Sequence, residues 1–328
     1  MEKGLSILQW DSGDGRKVDL FASVFHEYLL MSSTHLPKMI FIVGAPRSGS
    51  RLLLDFLTVP KNVAWIPDRL GESPSKLSYA SRANRQNWPL LGEFFLERRS
   101  AWKRVPEPAV GESFWSHYMP GFTPPDEEPY VPVPEHVSDA EIQAIQEAVK
   151  EICHRQRRDI FVAEYDGLPR IRLLQAVFPE AMFLQVIRDP RSVAYQMVKR
   201  SGGANLKLWE EREKWIALMP EALQARVAAN PSTPLNFCGV LTRWYHDLYK
   251  SEMDELSEGK GLEVAYSDLL SRPERILSKI LKFVELPETN RFKYFVKFHD
   301  IQESNQRTHR NLNADEADQL AEAVAALD

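Results

Sequence analysis

The 328-residue chain has only two cysteines, Cys153 and Cys238. They are far apart and lack metal-ligand spacing, and two thiols allow at most one chance bridge, so a disulfide framework is excluded. The reducing cytoplasm is the compartment this usage implies. No stretch approaches 18 continuous apolar residues, and MEKGLSILQWDSGDG at the N-terminus carries no apolar core of signal-peptide length. The expectation is a soluble protein with no membrane partner. Excess basic charge is missing as well: 41 Lys and Arg stand against 46 Asp and Glu, a net charge of -5. Nucleic acid is therefore not an expected partner, and any phosphate chemistry must come from local arginines. No repeat or low-complexity tract is evident.

What is present is an alternation of short apolar runs and amphipathic segments. Residues 17–32 have helical spacing and are expected to form an N-terminal helical extension within residues 1–38. Met39–Val43, Ile160–Ala163, Met182–Ile187 and Gly261–Tyr266 read as buried strands, with Val63–Ile66 as a further one. Arg170–Phe178 and Pro273–Val284 read as helices, the latter with Ile276, Leu277, Ile280, Leu281 and Val284 on one face. Strands alternating with helices predict an α/β fold, a parallel sheet flanked by helices in a single domain. Ligands then belong at the carboxyl ends of the strands. Residues 88–136 break the pattern, holding nine of the 22 prolines together with many aromatics. They are expected to lie outside the sheet, either as a lid over the active site or as a proline-stiffened surface loop.

Two segments carry the chemistry. The run Gly44-Ala45-Pro46-Arg47-Ser48-Gly49-Ser50 sits between an expected strand and the helical Arg51–Leu57. Amides at a helix start are unpaired and attract anions, and glycines let a ligand approach the backbone. Arg47 adds a forked cation, and Ser48 and Ser50 add hydroxyls. Gly44 and Gly49 have the glycine spacing of the nucleoside triphosphate loop G-x-x-x-x-G-K-[ST], but Ser50-Arg51 stands in place of Lys-[ST]. The hydroxyl that would hold Mg²⁺ is missing, which argues against a kinase and for a site that needs no metal. The second segment runs from Ile187-Arg188-Asp189-Pro190 to Gln196 and Arg200 and places an arginine at a strand end before a helix. Two anion sites on one sheet suit a nucleotide with phosphate at both its 5′ and 3′ ends.

With these residues in place, the chain resembles the PAPS-dependent sulfotransferase family, PAPS being 3′-phosphoadenosine 5′-phosphosulfate. FIVGAPRSGSRLL is similar to that family's 5′-phosphosulfate loop, FLQVIRDPRSVAYQMVKR to its 3′-phosphate segment, and VAYSDLLSRPERILSKILKFVELP to a third, downstream segment. The resemblance implies a P-loop-like sulfotransferase fold and PAPS as donor, with PAP released. It implies that Arg47, Ser48, Gly49 and Ser50, with Arg51 beside them, hold the 5′-phosphosulfate. Arg188 would bind the 3′-phosphate, with Arg200 further along. Gln196 stands where the family usually has serine, and Arg51 where it has a second threonine. Tyr266 matches a tyrosine that contacts adenine, although Ser267 replaces the usual glutamate beside it. Arg307 and Arg310 are candidates to close over the nucleotide.

The acceptor side is less determined. An in-line transfer needs a base opposite the leaving group. Asp68 lies 21 residues after Arg47, a spacing at which some relatives place a carboxylate. Glu72 competes with it, and His117 and Glu112 in the aromatic segment are alternatives. The expected acceptor is a small alcohol, phenol or amine. A non-catalytic nucleotide binder of the same fold and a P-loop kinase are the other readings.

Overall fold

The computed structural model describes residues 35–87, 107–109, 111–119, 137–199, 208–229, 233–298 and 313–325. Residues 1–36 and 37–328 form two separate units, and the fold below is that of the second. The expected helix over 17–32, Arg200, Arg307, Arg310 and most of 88–136 lie outside the described residues.

Five parallel strands form the sheet in the order β2-β3-β1-β4-β5. They are β1 (Lys38–Gly44), β2 (Val63–Ala64), β3 (Ile160–Asp166), β4 (Met182–Ile187) and β5 (Gly261–Ala265). The helices are α1 (Ser50–Leu57), α2 (Asp68–Glu72), α3 (Glu112–Tyr118), α4 (Asp139–Gln156), α5 (Ile171–Val177), α6 (Pro190–Lys199) and α7 (Arg212–Leu218). They continue with α8 (Glu221–Ala229), α9 (Pro234–Asp254), α10 (Tyr266–Ser271), α11 (Pro273–Phe283), α12 (Asn290–Phe298) and α13 (Ala314–Ala323). A 3₁₀ segment covers Leu77–Asn87. None of the described helices is long and apolar enough to cross a membrane.

Alternation along the strands sends side chains to two cores. Ile40 and Ile42 of β1 pack with Val162, Leu53 and Leu54 of α1, and Leu277 and Ile280 of α11. On the opposite face Phe41 meets Trp115 at 5.6 Å, Phe178 at 5.9 Å and Phe183 at 5.6 Å between ring centroids. Trp115 belongs to the proline- and aromatic-rich segment expected to lie outside the sheet, and its helix α3 does lie outside it. Phe114 and Trp115 are nevertheless fully buried. The described part of that segment is a packed helix, because an indole of this size gains more by burial than a surface loop could return.

Strand edges and helix ends are closed by polar side chains. Beyond Ala64 the β2–β3 ladder stops, and Gln156 takes its place. Its amide donates to the Trp65 carbonyl at 2.6 Å and its oxygen accepts from the Trp65 amide at 3.2 Å. The apolar run predicts a strand as far as Ile66; side-chain pairing replaces the ladder over its second half. Helices α4 and α13 begin with capping boxes at Ser138–Glu141 and Asn313–Glu316, and Thr233 caps α9. Cys153 and Cys238 are both buried and free, and burial raises both thiol pKa values, so neither is poised as a nucleophile.

Candidate active site

The carboxyl end of β1 turns through Gly44–Gly49 into α1. Arg47 and Gly49 both adopt positive φ, 68° and 105°. Strain at a non-glycine such as Arg47 persists only where surrounding contacts hold it. One such contact is the Arg188 guanidinium, which donates to the Arg47 carbonyl at 2.9 Å. The Ser48 amide donates to the Ala45 carbonyl at 3.0 Å, and the helix ladder begins with the Leu52 amide on Gly49 at 3.1 Å. The amides of the first α1 residues therefore precede the ladder and point out of the helix start.

Tyr266, the first residue of α10, closes the other side of the loop. A Cβ on Gly49 would lie 2.4 Å from its ring, so only glycine fits there, on both conformational and steric grounds. The Arg188 guanidinium carbon lies 4.6 Å from the centre of the same ring. Three segments spread over more than 200 residues of sequence thus meet: the anion loop, the strand-end arginine and the downstream tyrosine. Asp189 is the turn that aims Arg188. It accepts from the Ser192 hydroxyl at 3.0 Å and from the Arg191 amide and guanidinium, opening α6 at Pro190. Burial works to raise its pKa, but these donors outweigh burial and hold the carboxyl below the usual range. Gln196 sits half-buried two turns along α6.

The side chains of Ser48 and Ser50 are both buried. Ser50 is 2% exposed, and its hydroxyl bonds to the Glu164 carboxylate. Ser48 Oγ lies under Gly44 and, with Gln185 Oε1 and His246 Nδ1, lacks a hydrogen-bond partner. These three groups border a cavity of about 20 Å³, the size of one water and too small for phosphate. Arg51 points along its helix to Asp55 at 3.7 Å. On the outer side of the loop, Arg47 is exposed and Arg188 half-buried.

Beside the loop, β3 carries two carboxylates on its α1-facing side. Ile160 and Val162 of that face are apolar, but the next two positions are Glu164 and Asp166. Asp166 pairs in register with Gly44, and the following amide, that of Gly167, donates to the Gly44 carbonyl at 3.3 Å. Burial pushes the Glu164 pKa up to about 7, with the Asp166 charge adding to the rise; Ser50 and Arg51 oppose it. Burial also raises Asp166, against the pull of Arg47 and Arg51.

Three of the four sequence candidates for the base, Asp68, Glu72 and His117, lie on α2 and α3. Asp68 opens α2 beyond β2, 4.0 Å from the Arg82 guanidinium, with its amide on the Glu107 carbonyl at 2.8 Å. Glu72, at the end of α2, is exposed, as is His117 on α3, whose ring meets Tyr118 edge-on at 4.8 Å. The loop, Arg188 and Tyr266 are brought together; Asp68, Glu72 and His117 are not described in contact with them.

The model of the Sulfotransferase family matches residues 37–290, spanning the five described strands, the 44–50 loop, Arg188 and Tyr266. The chain belongs to the sulfotransferase family. Its fold is similar to that of sulfotransferase STF9 from Mycobacterium avium, at 13% identity and TM-score 0.51, with 94% of this chain and 80% of the other covered. It is also similar to sulfotransferase STF1 from Mycobacterium tuberculosis H37Rv, at 12% identity and TM-score 0.50, covering 95% and 85%. No curated protein sequence matches significantly.

Sequence reasoning missed the carboxylates of this sulfotransferase because the apolar run of β3 ends at Ala163. Pairing with β1 nevertheless continues to Asp166. The available signal was the acid-x-acid step at 164 and 166, which puts two carboxylates on one face of a strand.

Proposed function

We propose that this sulfotransferase moves the sulfuryl group of PAPS to a hydroxyl or amine of a small acceptor and releases PAP. The observation that carries the reading is the stack of Gly49, Tyr266 and Arg188, with Arg188 also holding the Arg47 carbonyl. It makes one continuous surface from two anion sites, as a nucleotide with phosphate at each end requires. On this reading Arg47, Gly49 and the first amides of α1 take the 5′-phosphosulfate. Arg188 takes the 3′-phosphate, with Gln196 and Arg200 further along that helix, and Tyr266 borders the nucleoside. Ser48 and Ser50 shape the loop from beneath, and Arg51 supports it through Asp55. When bound, the phosphosulfate supplies the electrophilic sulfur, and the positive groups around the loop stabilise charge on the departing phosphate.

One observation favours phosphoryl transfer instead. The acidic pair on the strand beside the anion loop stands where nucleotide triphosphatases hold Mg²⁺. The loop still lacks Lys-[ST], and Ser50 is engaged by Glu164. Titration calorimetry of the full chain with PAP, AMP and ATP-Mg²⁺ separates the two. Tightest binding of PAP, unaffected by EDTA, is the expected result. Preference for ATP-Mg²⁺, lost on chelation, would overturn the donor assignment.

A further inference from the structure

On that reading of the donor, we propose that Asp166 is the catalytic residue that takes the acceptor's proton, with Glu164 as a positioning residue beneath it. The strand order carries the argument. Arg188 follows β4 and Tyr266 follows β5, so the nucleotide-facing groups occupy one flank of β1. Asp166 ends β3 on the other flank, and the anion loop lies between. In-line displacement requires the acceptor to enter opposite the leaving phosphate, and that is the Asp166 side. Adjacent strands are about 5 Å apart, so Asp166 is one strand from the loop and the β2 edge leading to Asp68 is two.

Accessibility distinguishes the two carboxylates. Glu164 is 1% exposed, whereas Asp166, the last residue of the strand, is only partly buried. The charged and titratable groups around them are Arg47 from the loop, Arg51 and Asp55 from α1, and Tyr245 and Tyr249 from α9. Arg47 therefore acts both on the donor position and on the carboxylate that faces the acceptor. In the step, the acceptor oxygen or nitrogen forms a bond to sulfur while the bond from sulfur to the bridging phosphate oxygen breaks. Its electron pair leaves with PAP, and the acceptor proton passes to the Asp166 carboxylate. Glu164 keeps a second carboxyl under Asp166, anchored by the Ser50 hydroxyl at the start of the donor helix.

The test uses the full-length protein with sulfur-labelled PAPS, following transfer to a panel of phenols, aliphatic alcohols and amines, and to water alone. Asp166→Asn is expected to lower kcat by ~10²–10⁴-fold while PAP affinity stays within about threefold. Asp68→Asn, in parallel, is expected to retain most of kcat. Near-normal turnover in Asp166→Asn overturns the proposal, as does a loss confined to Asp68→Asn. A matching loss of PAP affinity also overturns it, because Asp166 would then merely brace Arg47. If Asp166→Asn fails to fold, the wild type supplies the reading. Its kcat should fall on acidification through a pKa above the usual aspartate range while PAP affinity holds level, and a flat kcat refutes the assignment. Failure of the donor reading is a different result: a wild type that neither binds PAP nor releases labelled sulfate.

Discussion

The two flanks of the anion loop are built on different principles. On the β4–β5 flank, each functional group has more than one structural constraint. Arg188 is tied to the Arg47 carbonyl and the Tyr266 ring, Tyr266 to Gly49, and the turn before α6 to Asp189. On the β2–β3 flank, each acidic group has a single side-chain partner or none but nearby arginines: Ser50 for Glu164, the Arg82 guanidinium at 4.0 Å for Asp68, and the pull of Arg47 and Arg51 for Asp166. A site for a fixed, multiply charged nucleotide can be specified by backbone geometry, since the ligand presents the same anions each time. A proton acceptor needs only one side chain at the right place, and its context is tertiary.

This contrast predicts a graded series of effects. Arg47→Ala sits at the junction of both flanks and should have the largest effect. Loss of a charge-assisted donor of roughly 1.5–3 kcal/mol would weaken PAP binding by about 10- to 150-fold and nearly abolish turnover. Unchanged PAP affinity by calorimetry would remove the loop from the donor site. Arg188→Ala should weaken PAP and AMP together through lost bracing of Arg47, but PAP more, erasing most of the preference between them. Equal losses for both ligands would make Arg188 purely structural.

Glu164 provides a test through stability. Its folded pKa of about 7 lies above the unfolded value of 4.5, so the folded state binds the extra proton. Its contribution is fully present below about pH 4.5 and declines as pH rises through 7. The total is up to about 3 kcal/mol, because each tenfold change in proton affinity is worth about 1.36 kcal/mol. Glu164→Gln should therefore match wild type in thermal unfolding near pH 4.5 and exceed it at pH 8. A difference independent of pH would mean the carboxylate is not desolvated as described. The smallest effects belong to Glu72→Gln and His117→Ala. Both side chains are exposed, and each change should leave PAP affinity and kcat within about twofold and stability within about 0.5 kcal/mol. A large loss of kcat in either variant would move the acceptor flank outward to the rim.

How much of this was legible in the sequence follows the same division. The strands, their parallel α/β alternation and the three segments that meet around Gly49 were readable because each is local: an apolar run, a glycine at a strand-to-helix turn, an arginine before a proline. Tyr266 was identified, but its contact with Gly49 was not, since 216 residues separate them. The inward turn of Ser50 was hidden for the same reason. It depends on Glu164, a residue whose position on the α1-facing side of β3 becomes visible only once β3 is paired with β1. The place of Trp115 was left open, between a lid and a surface loop, because proline and aromatic density describe a loop and a core plug equally well. Only the aromatic face formed by Phe41, Phe161 and Phe178 decides between them.

The most direct test of the central claim is sulfur transfer itself. Purified full-length protein is incubated with sulfur-labelled PAPS and the acceptor panel in EDTA, and labelled product and PAP are quantified together. Equimolar labelled sulfate ester or sulfamate and PAP, formed without added metal and abolished in Arg47→Ala, is the predicted result. PAP binding with no labelled product from any acceptor and no sulfate release would contradict it and leave a nucleotide-binding protein on this fold.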